Sequence, residues 1–149
     1  MKLHQRKFTE IKILLKEKLG EKIRTEEKYG TEYLEIDGSK VWMSADDKEL
    51  IVGYGFSHTH FTDDDNLYEG IIQFFDLLTN PVKITDYIKG NTIFKTVVEI
   101  EYLNAQPLNI GETGLLFYPY WKKTKTEISL ILPILTKKDI EKEVNVIIN

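Results

Sequence analysis

The chain has 149 residues, of which 42% are hydrophobic and 30% are charged, and its formal net charge is −4. This length fits one domain, and this composition predicts a soluble globular protein rather than a disordered or fibrous one. The sequence contains no cysteine, which excludes disulfide bonds, thiolate metal sites and a cysteine nucleophile. We therefore expect a single domain over residues 1–149.

Charge and hydropathy narrow the classes of partner. Arg6 and Arg24 are the only arginines, and the lysines are interspersed with acids, so we expect no binding of nucleic acid, which relies on clustered basic residues. No apolar run approaches the roughly 20 residues of a membrane helix, so we expect no membrane contact. The basic start of the chain continues into further charged residues, which argues against a signal peptide and favours a cytoplasmic location.

The first element is a predicted helix over residues 8–19. Its apolar residues recur at helical spacing along one side; they are Phe8, Ile11, Leu14, Leu15 and Leu19. Gly20 is typical of a helix C-terminus. The charged residues 21–28 fit either an extension of this helix or a strand.

An antiparallel meander of three strands is predicted next. Residues 31–36 alternate between polar and apolar side chains, and Asp37-Gly38 is a typical hairpin turn. Two further strands follow at residues 41–43 and 49–56. Because the connections between these strands are short, neighbouring strands are expected to be antiparallel.

The third predicted strand runs directly into a His-Thr-His segment. It carries Gly53 and Gly55 on one face, and a glycine within a strand marks the close approach of another group. Either a helix or an aromatic side chain lies across this face, or the face forms a groove for a bound group.

A second helix is predicted over residues 67–78, ending before Pro81. Its apolar stripe consists of Leu67, Ile71, Phe74, Phe75 and Leu78. Asn66 is a candidate N-cap, and Asp63 or Asp65 could fill the same position instead.

After the second helix the chain is predicted to be β-rich. The predicted elements are, in order, strands at residues 82–88 and 92–103, a loop at 104–114, and a hairpin from 115–121 and 126–132. The tail from Lys137 fits either a helix or an edge strand. The fold class is α+β, with an antiparallel sheet of about six to seven strands, an N-terminal helix and a second helix near residues 65–79 packed on it.

The His-Thr-His segment is the strongest candidate for metal chemistry. On a strand, His58 and His60 project from the same face about 6–7 Å apart, so both rings can reach one metal ion. Asp63, Asp64 or Asp65 could supply a carboxylate ligand, which gives the two-histidine, one-carboxylate set of zinc and iron sites. On this interpretation the chain is a metal-binding protein or a metal-dependent hydrolase. The alternative is that the aspartates stabilise the start of a helix and the histidines its corner with the strand, with no cofactor.

No catalytic residue is assigned, and a binding role is the other interpretation. Tyrosine and tryptophan are enriched in protein interfaces, and aromatics interleaved with lysines can also stack on nucleic-acid bases. The candidate binding residues are Tyr54, Phe56, His58, His60, Phe61, Tyr118, Tyr120 and Trp121. The negative net charge favours a protein partner over nucleic acid. No oligomeric state follows from the sequence.

One stretch resembles a known group of proteins. Residues 55–61 (GFSHTHF), the acids that follow, the next helix and the strand after it are similar to small uncharacterised bacterial proteins with an aromatic-His-x-His-Phe-Asp segment. The chain departs from that pattern at Ser57 and Thr62. The resemblance covers residues 50–91, and some proteins of this kind are immunity proteins of polymorphic toxin systems. It implies a non-enzymatic role with a toxin as partner, which suits an acidic protein because many toxic nucleases are basic.

Overall fold

A computed structural model describes residues 1–149 as three helices and nine strands, which confirms the α+β class. The helices are α1 (Leu3–Leu19), α2 (Leu67–Thr79) and α3 (Lys137–Ile148). None of them is long and apolar enough to cross a lipid bilayer. The strands form two antiparallel sheets, where the sequence predicted one sheet with fewer strands.

The first sheet is a five-stranded meander in which each strand pairs with the next one along the chain. Its strands are β1 (Ile23–Lys28), β2 (Thr31–Ile36), β3 (Val41–Ala45), β4 (Leu50–Tyr54) and β5 (Ser57–Phe61). The predicted meander is therefore confirmed, but the prediction of one strand over residues 49–56 is wrong at its end. A tight turn at Gly55-Phe56 reverses the chain, with Gly55 at a φ of 60°, so the histidines lie on a separate strand.

The second sheet has four strands in the order β8-β7-β6-β9. They are β6 (Val82–Lys89), β7 (Thr92–Ile100), β8 (Leu108–Gly114) and β9 (Thr124–Ile131). Two predictions are wrong here. Residues 104–114 were expected to form a loop, but β8 pairs with β7 over most of this range. Residues 115–121 were expected to form a strand, but they form bends and turns, and β9 pairs with β6 instead.

The start of α1 and the N-cap of α2 both differ from prediction, because Asp63 bonds to α1 and not to α2. Asp63 does not cap α2; its carboxylate accepts the backbone N–H groups of Leu3 (3.2 Å) and His4 (2.8 Å). These bonds satisfy the first turn of α1, which therefore begins before residue 8. Asn66 stands at the N-cap of α2 but makes no side-chain capping hydrogen bond. The apolar stripe predicted for α2 is buried throughout.

The tail from Lys137, which the sequence allowed to be a helix or an edge strand, forms the helix α3.

The hydrophobic core contains 26 buried residues from both sheets and all three helices. The inner face of the first sheet, which carries Leu34, Met43 and Val52, packs against α1 and α2. The two sheets meet where β5 approaches β8. At this junction the side chain of Ser57 lies over Gly111, where a Cβ would come within 2.5 Å of the Ser57 Cβ.

Candidate protein-binding surface

Exposed apolar side chains gather at one end of the molecule. The turn between β4 and β5, the start of β7 and the segment that follows β8 meet there, because Phe56, Phe94 and Leu115 line one groove. Phe56, Ile93 and Leu115 line this groove, and the exposed Leu116, Phe117, Tyr120 and Trp121 follow Leu115 on the same segment. We call these seven residues the aromatic end. Exposed apolar side chains grouped in this way are typical of interaction sites.

The β4–β5 turn places Phe56 in solvent. Gly55 adopts a left-handed conformation that favours glycine. The indole Nε1 of Trp42 donates a hydrogen bond to the Gly55 carbonyl oxygen at 2.8 Å, which ties the turn to β3. The ring of Trp42 reaches this position across Gly53, so an aromatic side chain is the reason for that strand glycine. Phe56 lies at the tip of this turn, whose backbone the Trp42 hydrogen bond fixes, and its side chain is 91% exposed.

The segment 115–123 has no regular secondary structure, but side chains anchor it to the second sheet. The ring of Tyr118 stacks on Phe94 with centroids 4.6 Å apart. The Lys89 ammonium donates to the carbonyl oxygens of Tyr120 (3.3 Å) and Lys122 (3.0 Å). Tyr118 is therefore an internal support, whereas its neighbours Phe117 (91% exposed) and Trp121 (72% exposed) point to solvent.

A groove of about 400 Å³ runs under Phe56, between the β4–β5 turn and the second sheet. Ile84 and Val98 are among its apolar lining residues. One wall carries Asp86, whose carboxylate accepts a hydrogen bond from the Thr96 hydroxyl at 2.7 Å. Lys40 lines the same groove, so its walls carry one charge of each sign around an apolar floor that can accept an apolar side chain.

The two sequence-predicted histidines lie together on the outer face of the first sheet, as their spacing predicted. The ring centroids of His58 and His60 are 5.1 Å apart, and His60 Nδ1 lies 2.9 Å from a Glu49 carboxylate oxygen. The three predicted aspartate ligands do not join them: Asp63 is bonded to α1, and Asp64 and Asp65 lie in the following turn. No three His, Asp or Glu side chains converge in a metal-binding arrangement. Metal binding by the histidine pair stays a prediction.

Two predicted binding residues lie in the interior. Tyr54 and Phe61 belong to the hydrophobic core and are each 4% exposed, although Tyr54 also lines the groove under Phe56. Burial also raises the pKa of the Tyr54 phenol. Phe61 packs against Gly70 of α2, which couples β5 to this helix. The exposed residues Ile93, Leu115 and Leu116 were not singled out from the sequence.

A buried polar cluster at His4 was also missed by the sequence reasoning. The fully buried His4 ring bonds through Nδ1 to Asp63 at 2.7 Å and through Nε2 to the Asp46 carbonyl oxygen at 2.7 Å. Both ring nitrogens therefore lie against an oxygen, and the ring has a polar partner on each side. Desolvation pushes the pKa of Asp63 up, but the hydrogen bonds from His4 and Leu3 outweigh it, so the pKa lies below its ordinary value of 3.8.

The lowered pKa of Asp63 makes stability depend on pH. The unfolded chain takes up this proton at a higher pH than the folded chain does, so the stabilisation is complete above about pH 4 and is lost as the pH falls through the folded pKa. We expect Asp63→Asn to flatten the decline of the free energy of unfolding between about pH 4 and pH 2, measured by urea denaturation. Asp64→Asn, at an exposed neighbour, is the control; equal slopes in both variants would contradict this assignment.

A second ionisable pair, between Asp76 on α2 and Tyr102, is structural. The Tyr102 hydroxyl donates to the Asp76 carboxylate at 2.8 Å. Burial raises the pKa of Asp76, although the bond from Tyr102 and the charge of Lys137 oppose it. Burial and the bond to Asp76 raise the pKa of Tyr102 as well. The pair ties α2 to the chain that leaves β7, and it lies apart from the aromatic end.

Comparison with known proteins gives no relative for this chain: no family model, curated protein or solved structure matches it. Its function is therefore inferred from its own residues and their arrangement. The feature that stands out is an anchored, largely apolar surface rich in phenylalanine, tyrosine and tryptophan, and these residue types dominate the energetics of protein interfaces.

Proposed function

We propose that this chain is a non-enzymatic protein-binding domain that docks through its aromatic end. The observation that carries the proposal is the convergence of Phe56, on the turn between β4 and β5, with Leu115, which begins the exposed segment between β8 and β9. Residues far apart in the sequence form one apolar surface, and the Phe94–Tyr118 stack and the Lys89 hydrogen bonds hold its backbone in place. Such preorganisation lowers the entropy cost of binding.

The chemistry of the surface suggests how a partner would be recognised. Exposed aromatic anchors such as Phe117 and Trp121 supply large buried areas on binding. The groove beside Phe56 would take an apolar side chain of the partner over Ile84 and Val98. The net charge of −4 would favour encounter with a basic partner through long-range attraction.

The specific role we propose is that of an immunity protein that neutralises a bacterial toxin. The resemblance of residues 50–91 to proteins of that kind supports this role, as does the acidic charge. An inhibitor of this type works by covering a surface of the toxin, which requires an exposed and rigid interface rather than catalytic residues.

The test uses a toxic protein encoded beside this gene as the probe. We expect the wild-type chain to bind it and to restore growth on co-expression. The double variant Phe117→Ser/Trp121→Ser should weaken binding by about tenfold or more, equivalent to about 1.4 kcal/mol, in isothermal titration calorimetry.

Tyr29→Ser is the matched control, because Tyr29 is a 95% exposed aromatic at the β1–β2 turn, away from the aromatic end. It should bind like the wild type. Equal loss of affinity in the control, or no binding of the toxic neighbour by the wild-type chain, would count against the proposal. Circular dichroism of each variant separates a lost contact from a lost fold.

A further inference from the structure

The strand β9 has an unpaired edge and an uncovered apolar face. It ends the order β8-β7-β6-β9, so it hydrogen-bonds to β6 on one side only. All eight of its residues are exposed. Ile128 (63% exposed) and Leu130 (56% exposed) stand on the outer face of the sheet, where their direct neighbours on β6 are Thr85 and Lys83. An edge of this kind is a template for pairing with another strand.

Two of the usual protections of an edge strand, proline and a β-bulge, are missing from β9. Its only charged residues are Lys125 and Glu127. Its pairing with β6 has no bulge, although the β6–β7 and β7–β8 pairings each have one. The edge strand of the other sheet, β1, is built differently: five of its six residues are exposed and most of them are charged. The second sheet is therefore open to pairing at β9 in a way that the first sheet is not at β1.

We propose that β9 pairs antiparallel with β9 of a second copy of this chain, around a two-fold axis at Ile128. The two four-stranded sheets then form one continuous sheet. The proposal concerns a different surface from the aromatic end, and its tests need no other protein, so it stands or falls separately from the proposed function.

Charge selects the register. Two antiparallel registers pair nearly the whole length of β9 with itself, one centred on Glu127 and one on Ile128. The first places two Glu127 carboxylates opposite each other, and like charges in that position are destabilising. On the other side of the strand, Glu127 is paired with Asp86 of β6, and this second carboxylate adds to the repulsion.

The register at Ile128 has complementary chemistry. It pairs Ile128 with itself and Leu130 with Thr126 of the second copy on the outer face, which covers apolar surface that is exposed in the single chain. Glu127 then faces Ser129, and Lys125 faces Ile131, so no like charges oppose. One strand pair is small beside a standard interface of about 1,600 Å², and we expect a dimer with a Kd on the order of 10–100 μM.

The chain lacks cysteine, so a single introduced cysteine reports the register directly. Directly opposite Cβ atoms in antiparallel strands lie about 4.5–5.5 Å apart, close enough for a disulfide after small adjustments. Ile128→Cys should therefore give a disulfide-linked dimer on mild oxidation. Thr126→Cys, on the same face, places its two cysteines four residues apart along the strand, about 13 Å, and should remain monomeric on a non-reducing gel.

A second measurement does not depend on cross-linking. Ile128→Lys places two ammonium groups opposite each other at the axis and should raise the dimer Kd by about tenfold or more in analytical ultracentrifugation. Val146→Lys, at an exposed aliphatic position on α3, is the matched control and should dimerise like the wild type. A wild-type chain that is monomeric at about 500 μM would overturn the proposal. So would cross-linking at Thr126 in preference to Ile128, or a dimer that Ile128→Lys leaves unchanged.

Discussion

His4→Ala is expected to lower the free energy of unfolding by about 3–4 kcal/mol, a large share of the stability of a domain of this size. The substitution removes a fully buried ring together with its two 2.7 Å hydrogen bonds. Asp63 keeps the bonds from the backbone N–H groups of residues 3 and 4, so the loss combines a cavity with the broken bond to the Asp46 carbonyl oxygen. Urea denaturation followed by circular dichroism measures the loss.

The control for this experiment is His58→Ala. His58 is exposed on the outer face of the first sheet, and we expect its removal to change the free energy of unfolding by less than about 0.5 kcal/mol. A loss below about 1 kcal/mol in His4→Ala would mean that the cluster carries little stability. His4→Gln helps to separate the two causes, because it retains hydrogen-bonding groups but not the ring.

Elements with a strong local signal were predicted well from the sequence. The apolar stripe of α2 defines its buried face without reference to the rest of the chain. Strand β2 combines alternation with an Asp37-Gly38 turn, and its observed bounds coincide with the predicted ones. In both cases the local preference and the tertiary packing favour the same structure.

Elements that depend on distant partners were predicted poorly. The composition of residues 104–114 is typical of a loop, yet β8 forms because β7 offers a ladder of backbone partners and because Gly111 admits Ser57. Residues 115–121 are rich in aromatic residues, which favour strands, yet the Phe94–Tyr118 stack and the Lys89 bonds hold them as turns. Tertiary context outweighs local propensity at these places.

The candidate site shows the same limit. Sequence reasoning selected Phe56, Tyr120 and Trp121 as binding residues, and all three are exposed, but it could not show that the two regions meet. It treated Asp63 as a metal ligand or a cap for α2. The partners of Asp63, Leu3 and His4, precede it by about 60 residues, and no local pattern marks such a contact.

Gly111→Ala is expected to lower the free energy of unfolding by about 2 kcal/mol, because the new Cβ would meet Ser57 where the two sheets join. That Cβ would lie 2.5 Å from the Ser57 Cβ and 2.7 Å from its Oγ, so β5 and β8 must separate. Gly114→Ala is the matched control on the same strand, since its nearest neighbour is the Phe94 carbonyl oxygen at 3.4 Å. Ser57→Gly should recover about 1 kcal/mol when combined with Gly111→Ala, and urea denaturation of the four-member cycle measures this coupling. Additive losses in the double variant would show that the two side chains do not meet, and the junction between the sheets would then have to lie elsewhere.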